Sequence, residues 1–194
     1  MSRRFFGYAI LAGVFLLTAA LGQKPKPAIE QSLGGLTVNQ STLADARKLY
    51  GAELRTEYGA LLFAIGPDCK LGVTANKAGV IEIVDLEPMD VTKPPPYSAA
   101  CEAMATGSGL KFGGTLPQVN QAFGLADSAS DPYGAYQLDN TTKCVKKPKA
   151  TPLVYQLFWV KFSPENRHIA NIRVLGRKTT CADPDIQMTL SDEG

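Results

Sequence analysis

Histidine is nearly absent from this chain. His168 is the only one among 194 residues, which excludes a two-histidine metal site and leaves a histidine-based triad with a single candidate, placed in an expected turn beside Glu165 and Arg167. The four cysteines, Cys69, Cys101, Cys144 and Cys181, contain no Cys-x-x-Cys pair that would lower a thiol pKa. There is no phosphate loop and no Gly-x-Ser-x-Gly elbow. Gly107-Ser108-Gly109 has neither the spacing nor the preceding strand that such a nucleophile needs. Paired carboxylates occur at Glu82 and Asp85 and at Asp183 and Asp185, without an organised ligand loop, and read as solvated charge. The expectation is a non-catalytic protein with no cofactor and no metal.

An excess of one charge is also missing. Lysine plus arginine number 20 and aspartate plus glutamate 18, and two of the basic residues, Arg3 and Arg4, sit at the extreme N-terminus. The remainder is balanced, which argues against a nucleic-acid partner. The one basic run, Lys143, Lys146, Lys147 and Lys149 around Pro148, reads as a solvated loop. A long apolar run occurs once, over residues 5–21, after Ser2-Arg3-Arg4 and before the small residues of Ala20-Leu21-Gly22. This is the pattern of an export signal. A retained anchor is the competing reading, since a spanning helix needs roughly 20 apolar residues. Gly7 disfavours the twin-arginine route over the general secretory one, and no cysteine follows the run to carry a lipid. The mature chain is therefore expected to be periplasmic or secreted, with no membrane span after signal removal, and its four cysteines read as two disulfides.

What the sequence does contain is a repeat. Gly35-Leu36-Thr37-Val38 leads into a segment from Thr42 to Gly51, and Gly109-Leu110-Lys111-Phe112 leads into a similar one from Thr115 to Gly124. Each segment reads as a short helix, capped by Ser41 or Thr42 and by Thr115, with Pro117 in a first turn and Gly51 or Gly124 at the end. Leu43, Ala46, Leu49 and Tyr50 form one apolar stripe, and Leu116, Val119, Ala122 and Phe123 the other. Alternating segments follow each helix: 57–65, 71–76 and 80–86 in the first half, and 133–138, 153–162 and 169–175 in the second. The expected fold class is α+β, two similar units, each a short helix on an antiparallel sheet of about three strands. The expected organisation is a signal peptide at 1–22, a first unit at 23–92, a proline-rich linker at 93–108 around Pro94-Pro95-Pro96, a second unit at 109–181 and an exposed acidic tail at 182–194. Cys69 and Cys144 precede the second strand of their units, whereas Cys101 and Cys181 follow the third. Repeat symmetry thus pairs Cys69 with Cys101 and Cys144 with Cys181.

The order Gly, Leu, x, apolar, Thr, then an amphipathic turn ending in aromatic-Gly before antiparallel strands, resembles the BamE-like fold, most clearly over residues 110–124. That fold occurs singly in an outer-membrane assembly lipoprotein and in tandem in the beta-lactamase inhibitory proteins. The resemblance implies a non-catalytic exported protein that binds other proteins through a sheet face. It also points to bacteria, where the acceptor-like Asn39-Gln40-Ser41 and Asn140-Thr141-Thr142 carry no glycan.

The candidate surface lies on the strand at 153–162, which is apolar on both sides. Val154, Phe158, Val160 and Phe162 are expected to face the helix. Tyr155, Leu157, Trp159 and Lys161 then share the other face, with Arg173 on the neighbouring strand. Tyrosine, tryptophan and arginine on an uncovered face are interface anchors. The alternative is that the other unit, the linker or the tail covers them. The function expected is partner binding, as an inhibitor or an envelope assembly factor acting on another exported or envelope protein. A small-ligand or cell-wall binding protein using a cleft between units, or a hydrolase without a recognisable motif, are the alternatives.

Overall fold

The structure is a computed structural model that describes residues 28–90, 92, 95–124, 135–163 and 168–192. The expected signal peptide, Lys93 and Pro94 of the linker, the strand start at 133–134, the turn at 164–167 and Glu193 of the tail lie outside the described residues. A small hairpin, β1 (Ser32–Leu33) and β2 (Leu36–Thr37), leads into α1 (Leu43–Tyr50). Four strands follow: β3 (Arg55–Glu57), β4 (Ala60–Ile65), β5 (Cys69–Ala75) and β6 (Ile81–Pro88). After α2 (Ala99–Glu102) come α3 (Leu116–Phe123), β7 (Ala135–Asp139), a 3-10 turn (Thr141–Cys144), β8 (Pro152–Phe162), β9 (Ile169–Thr180) and α4 (Pro184–Asp192).

Local chemistry sets the two repeat helices. The Thr42 N–H donates to Asp45 Oδ2 at 2.8 Å and the Asp45 N–H returns to Thr42 Oγ1 at 3.3 Å, a reciprocal cap. Gln118 reaches back in the same way to the Thr115 N–H, at 2.7 Å. Gly51 and Gly124 end the helices at φ 82° and 80°, where a side chain would be strained. Ala46, Val119 and Phe123 are buried as expected, but Leu49 is 55% exposed and Ala122 faces solvent, so each stripe is narrower than its spacing suggests.

The expected pair of three-stranded units is overturned by the sheet. Seven strands form one antiparallel sheet in the order β3-β4-β5-β6-β9-β8-β7. Its middle is the pairing of β6 with β9, with Ile83 opposite Leu175, Val84 opposite Val174, Asp85 opposite Arg173 and Leu86 opposite Ile172. The reason is physical: each three-stranded sheet would end in a row of unpaired N–H and C=O groups, and joining the two edges satisfies both. One face of the joined sheet carries a single core. Phe63, Leu71, Val84 and Leu86 from the first half share it with Phe158, Val160, Ile172 and Val174 from the second. Phe123 of α3 closes on Phe158, ring centres 4.5 Å apart.

Three further features depart from the expected outline. The segment read as one strand over 57–65 is a hairpin, turned at Tyr58 and Gly59 with φ of 49° and 84°. The segment read as a linker packs inward, with Tyr97 and Met104 buried and α2 carrying Cys101. Asp68 holds it there by accepting the Ser98 N–H at 2.8 Å. The segment read as an exposed acidic tail forms α4, with Ile186 fully buried.

The disulfides join Cys69 to Cys101 and Cys144 to Cys181, the pairing given by repeat symmetry. Sequence separations of 32 and 37 residues make each worth about 3–4 kcal/mol by loop closure.

Candidate docking face

The strands that build the core with one set of side chains present the alternate set on the opposite face. Strand register aligns that set in rows. The central row runs Arg55, Leu62, Gly72, Asp85, Arg173, Trp159 and Gln137 across all seven strands. Trp159, Leu157, Lys161 and Arg173 lie on this face as the sequence expects, and Val160 and Phe158 turn the other way into the core. Trp159 and Leu157 are half-buried, and Lys161 and Arg173 are exposed.

Tyr155 belongs to the same face but is only 3% exposed. With Leu175 and the Cys144–Cys181 bond it forms a second small core capped by Ile186 of α4. Arg177 lies 5.7 Å from the Tyr155 ring centre and binds Asp183 and Asp185, each at 2.6 Å. Thr179 Oγ1 donates to Asp183 at 2.8 Å. Burial alone would push the Asp183 carboxyl up, but the hydrogen bonds from Thr179 and Arg177 outweigh it and hold the group below its usual range. The acids read from sequence as solvated charge therefore fasten the helix that covers Tyr155.

At the centre of the open part, Arg173 Nε donates to Asp85 Oδ2 at 3.0 Å and a second guanidinium nitrogen binds the same oxygen. The guanidinium also lies 5.7 Å from the Trp159 ring centre, a cation–π contact. Asp85 Oδ1 is buried, and Asn171 also hydrogen-bonds the carboxyl weakly. Burial pushes the Asp85 carboxyl above its ordinary value, more than Arg173 draws it down. Beside this pair, above Gly72, a trough of about 360 Å³ runs between Asp85, Glu87 and Arg173 on one side and the Glu57–Tyr58 turn on the other. Gly72 and Tyr58 were not singled out from sequence, and Asp85, read there with Glu82 as solvated charge, is instead largely buried against Arg173. The alternation of Asp85 between Val84 and Leu86 was the available signal.

No family model matches the sequence, and no curated protein matches it. Among solved structures the chain is similar to a DUF4309 family protein, YjgB, from Bacillus subtilis. Identity is 15% over 78% of this chain and 88% of that one, with a TM-score of 0.42. A likeness at that level carries no functional argument, and it has no bearing on the BamE-like resemblance.

Other candidates have structural uses. His168 is half-buried and its Nδ1 lies 2.8 Å from the Gly113 carbonyl oxygen, tying the start of β9 to the loop before α3. The Asn140 amide bonds the Val154 carbonyl at 2.8 Å and the Gln156 N–H at 3.0 Å, closing the edge of β8 where β7 has ended. The junction between the halves is continuous sheet at β6 and β9 rather than a cleft. Among the described residues no helix is long and apolar enough to cross a membrane. Two disulfides fit an oxidising compartment.

Proposed function

We propose that this is an exported protein-binding module that docks another exported or envelope protein on the open sheet face, as an inhibitor or assembly factor, and performs no catalysis. The observation that carries the reading is Trp159 on β8 in contact with Arg173 on β9, in the second half of a seven-stranded sheet and on the face opposite the core. A rigid aromatic beside an arginine supplies large contact area at small entropic cost, the usual anchor of a protein interface. The BamE-like resemblance implies the same class of function.

The test is retention of envelope proteins by the mature chain beside Trp159→Ala. A protein retained by the parent should be bound at least about tenfold more weakly by the variant, with thermal unfolding little changed. Equal retention by a folded Trp159→Ala protein would refute docking at this face.

A further inference from the structure

We propose that the lysine-rich loop over residues 143–149, before β8, is a peripheral membrane contact that takes anionic phospholipid headgroups, apart from the open sheet face. Lys143, Lys146, Lys147 and Lys149 are exposed, as is every residue from 145 to 150. Each described arginine, and Lys70, is paired with a carboxylate. These four lysines have no ion pair among the described residues. The described acids at this end of the sheet are already engaged: Asp139 accepts the Thr141 N–H at 2.9 Å, and Asp183 and Asp185 hold Arg177. The chain as a whole is nearly balanced, 20 basic residues against 18 acidic, so the positive field is local to this loop and selects an anionic occupant.

The loop is fixed, and its tip is apolar. Val145, at φ −57° and ψ 125°, and Lys146, at φ 58°, are the central residues of a type II turn closed by the Lys147 N–H on the Cys144 carbonyl at 3.0 Å. The Thr151 N–H closes a second turn on the Pro148 carbonyl at 2.9 Å. The Cys144–Cys181 bond, and the Cys181 N–H on the Thr151 carbonyl at 2.9 Å, tie both ends of the loop to the end of β9. The second central position of a type II turn favours glycine or asparagine, so Lys146 stands there at a cost to the fold, and its charge is what the position gains. Val145 is 48% exposed among the lysines. A fixed, protruding turn of this kind suits a flat surface: the valine enters below the headgroups while the lysines stay at the phosphates. A soluble polyanion would use the lysines and leave Val145 idle. The two disulfides fit an oxidising compartment, where membrane surface is at hand and nucleic acid is not.

The probes are vesicles of phosphatidylcholine alone and vesicles containing about one-third phosphatidylglycerol, mixed with the mature chain and sedimented at low salt. The chain should partition onto the anionic vesicles at least about tenfold more strongly than onto the neutral ones, and the preference should fall as salt rises. Lys146→Gly removes a charge and the backbone strain together, so it should melt no lower than the parent and yet bind about fivefold less. Adding Lys147→Ser should take the loss past about tenfold. Val145→Ser should weaken vesicle binding and leave binding to soluble polyglutamate unchanged. Equal partition onto the two vesicle types, no binding, or undiminished binding by the folded double variant would overturn the proposal. So would undiminished vesicle binding by Val145→Ser, which would make the loop a soluble-polyanion site. Docking on the open face is judged apart. Trp159→Ala should bind vesicles as the parent does, and loss of that binding in the folded variant would overturn the proposal by moving the membrane contact to the open face.

Discussion

Asp85 shows what burial does to a carboxyl on the open face, even one that Arg173 holds. Its carboxyl pKa is raised in the native state, so the folded protein holds this proton more tightly than the unfolded chain does. Such a group penalises folding above its native pKa, and the penalty fades as pH falls through that value toward the unfolded one. Asp85→Asn should therefore be as stable as the parent or more so near neutrality, since the Arg173 side chain left behind is 44% exposed and is not a buried charge. The difference should shrink on acidification, as read by urea unfolding at several pH values. A variant less stable at pH 7 than in acid, relative to the parent, would show that the pair with Arg173 is net favourable. The sequence displayed Asp85 between two apolar residues and so fixed its face. What lay beside it was not visible, because Arg173 is 88 positions away and strand neighbours are not written in either segment alone.

At the scale of elements, the two repeat helices were legible because their signals are local: caps at Thr42 and Thr115, stops at Gly51 and Gly124. The turn at Tyr58 and Gly59 was missed although Gly59, at φ 84°, was a local signal for it. The C-terminal helix was missed for a different reason. Asp183 and Asp185 read as tail charges, and nothing local showed that Arg177 on β9 would collect them over Tyr155. This helix depends on its staple. Replacing Cys144 and Cys181 by serine should cost about 3–4 kcal/mol and leave α4 as the first element to exchange its amide hydrogens. Tyr155 then becomes accessible, lengthening the open face. Acid acts in the same direction: the Asp183 pKa is lowered, so its contribution is complete above the ordinary carboxylate range and is lost as pH falls through the lowered value. Unchanged exchange in α4 of the double variant would mean that Ile186 and the Arg177 pairs with Asp183 and Asp185 hold it without the disulfide.

For the whole molecule, internal repetition told which segments resemble each other but not how their edges meet. Two copies of a three-stranded pattern are compatible with separate units or with one sheet. The choice lies in the hydrogen bonds of β6 to β9, between residues such as Val84 and Val174 that look like ordinary core positions in either case. The same pairing brings Asp85 to Arg173 and so makes the open face continuous across the halves. It follows that the halves should be interdependent. Fragments spanning 23–92 and 109–194 leave β6 or β9 as a bare edge above an incomplete core, while the second keeps its own disulfide and the first loses the partner of Cys69, so the first is best extended to residue 108. Neither fragment alone should show a cooperative thermal transition near that of the parent, and mixing them should restore one, with Trp159 fluorescence returning to the native value. Two fragments that each melt cooperatively near the parental temperature would mean that the β6–β9 seam adds little, and that the face divides into two independently stable surfaces.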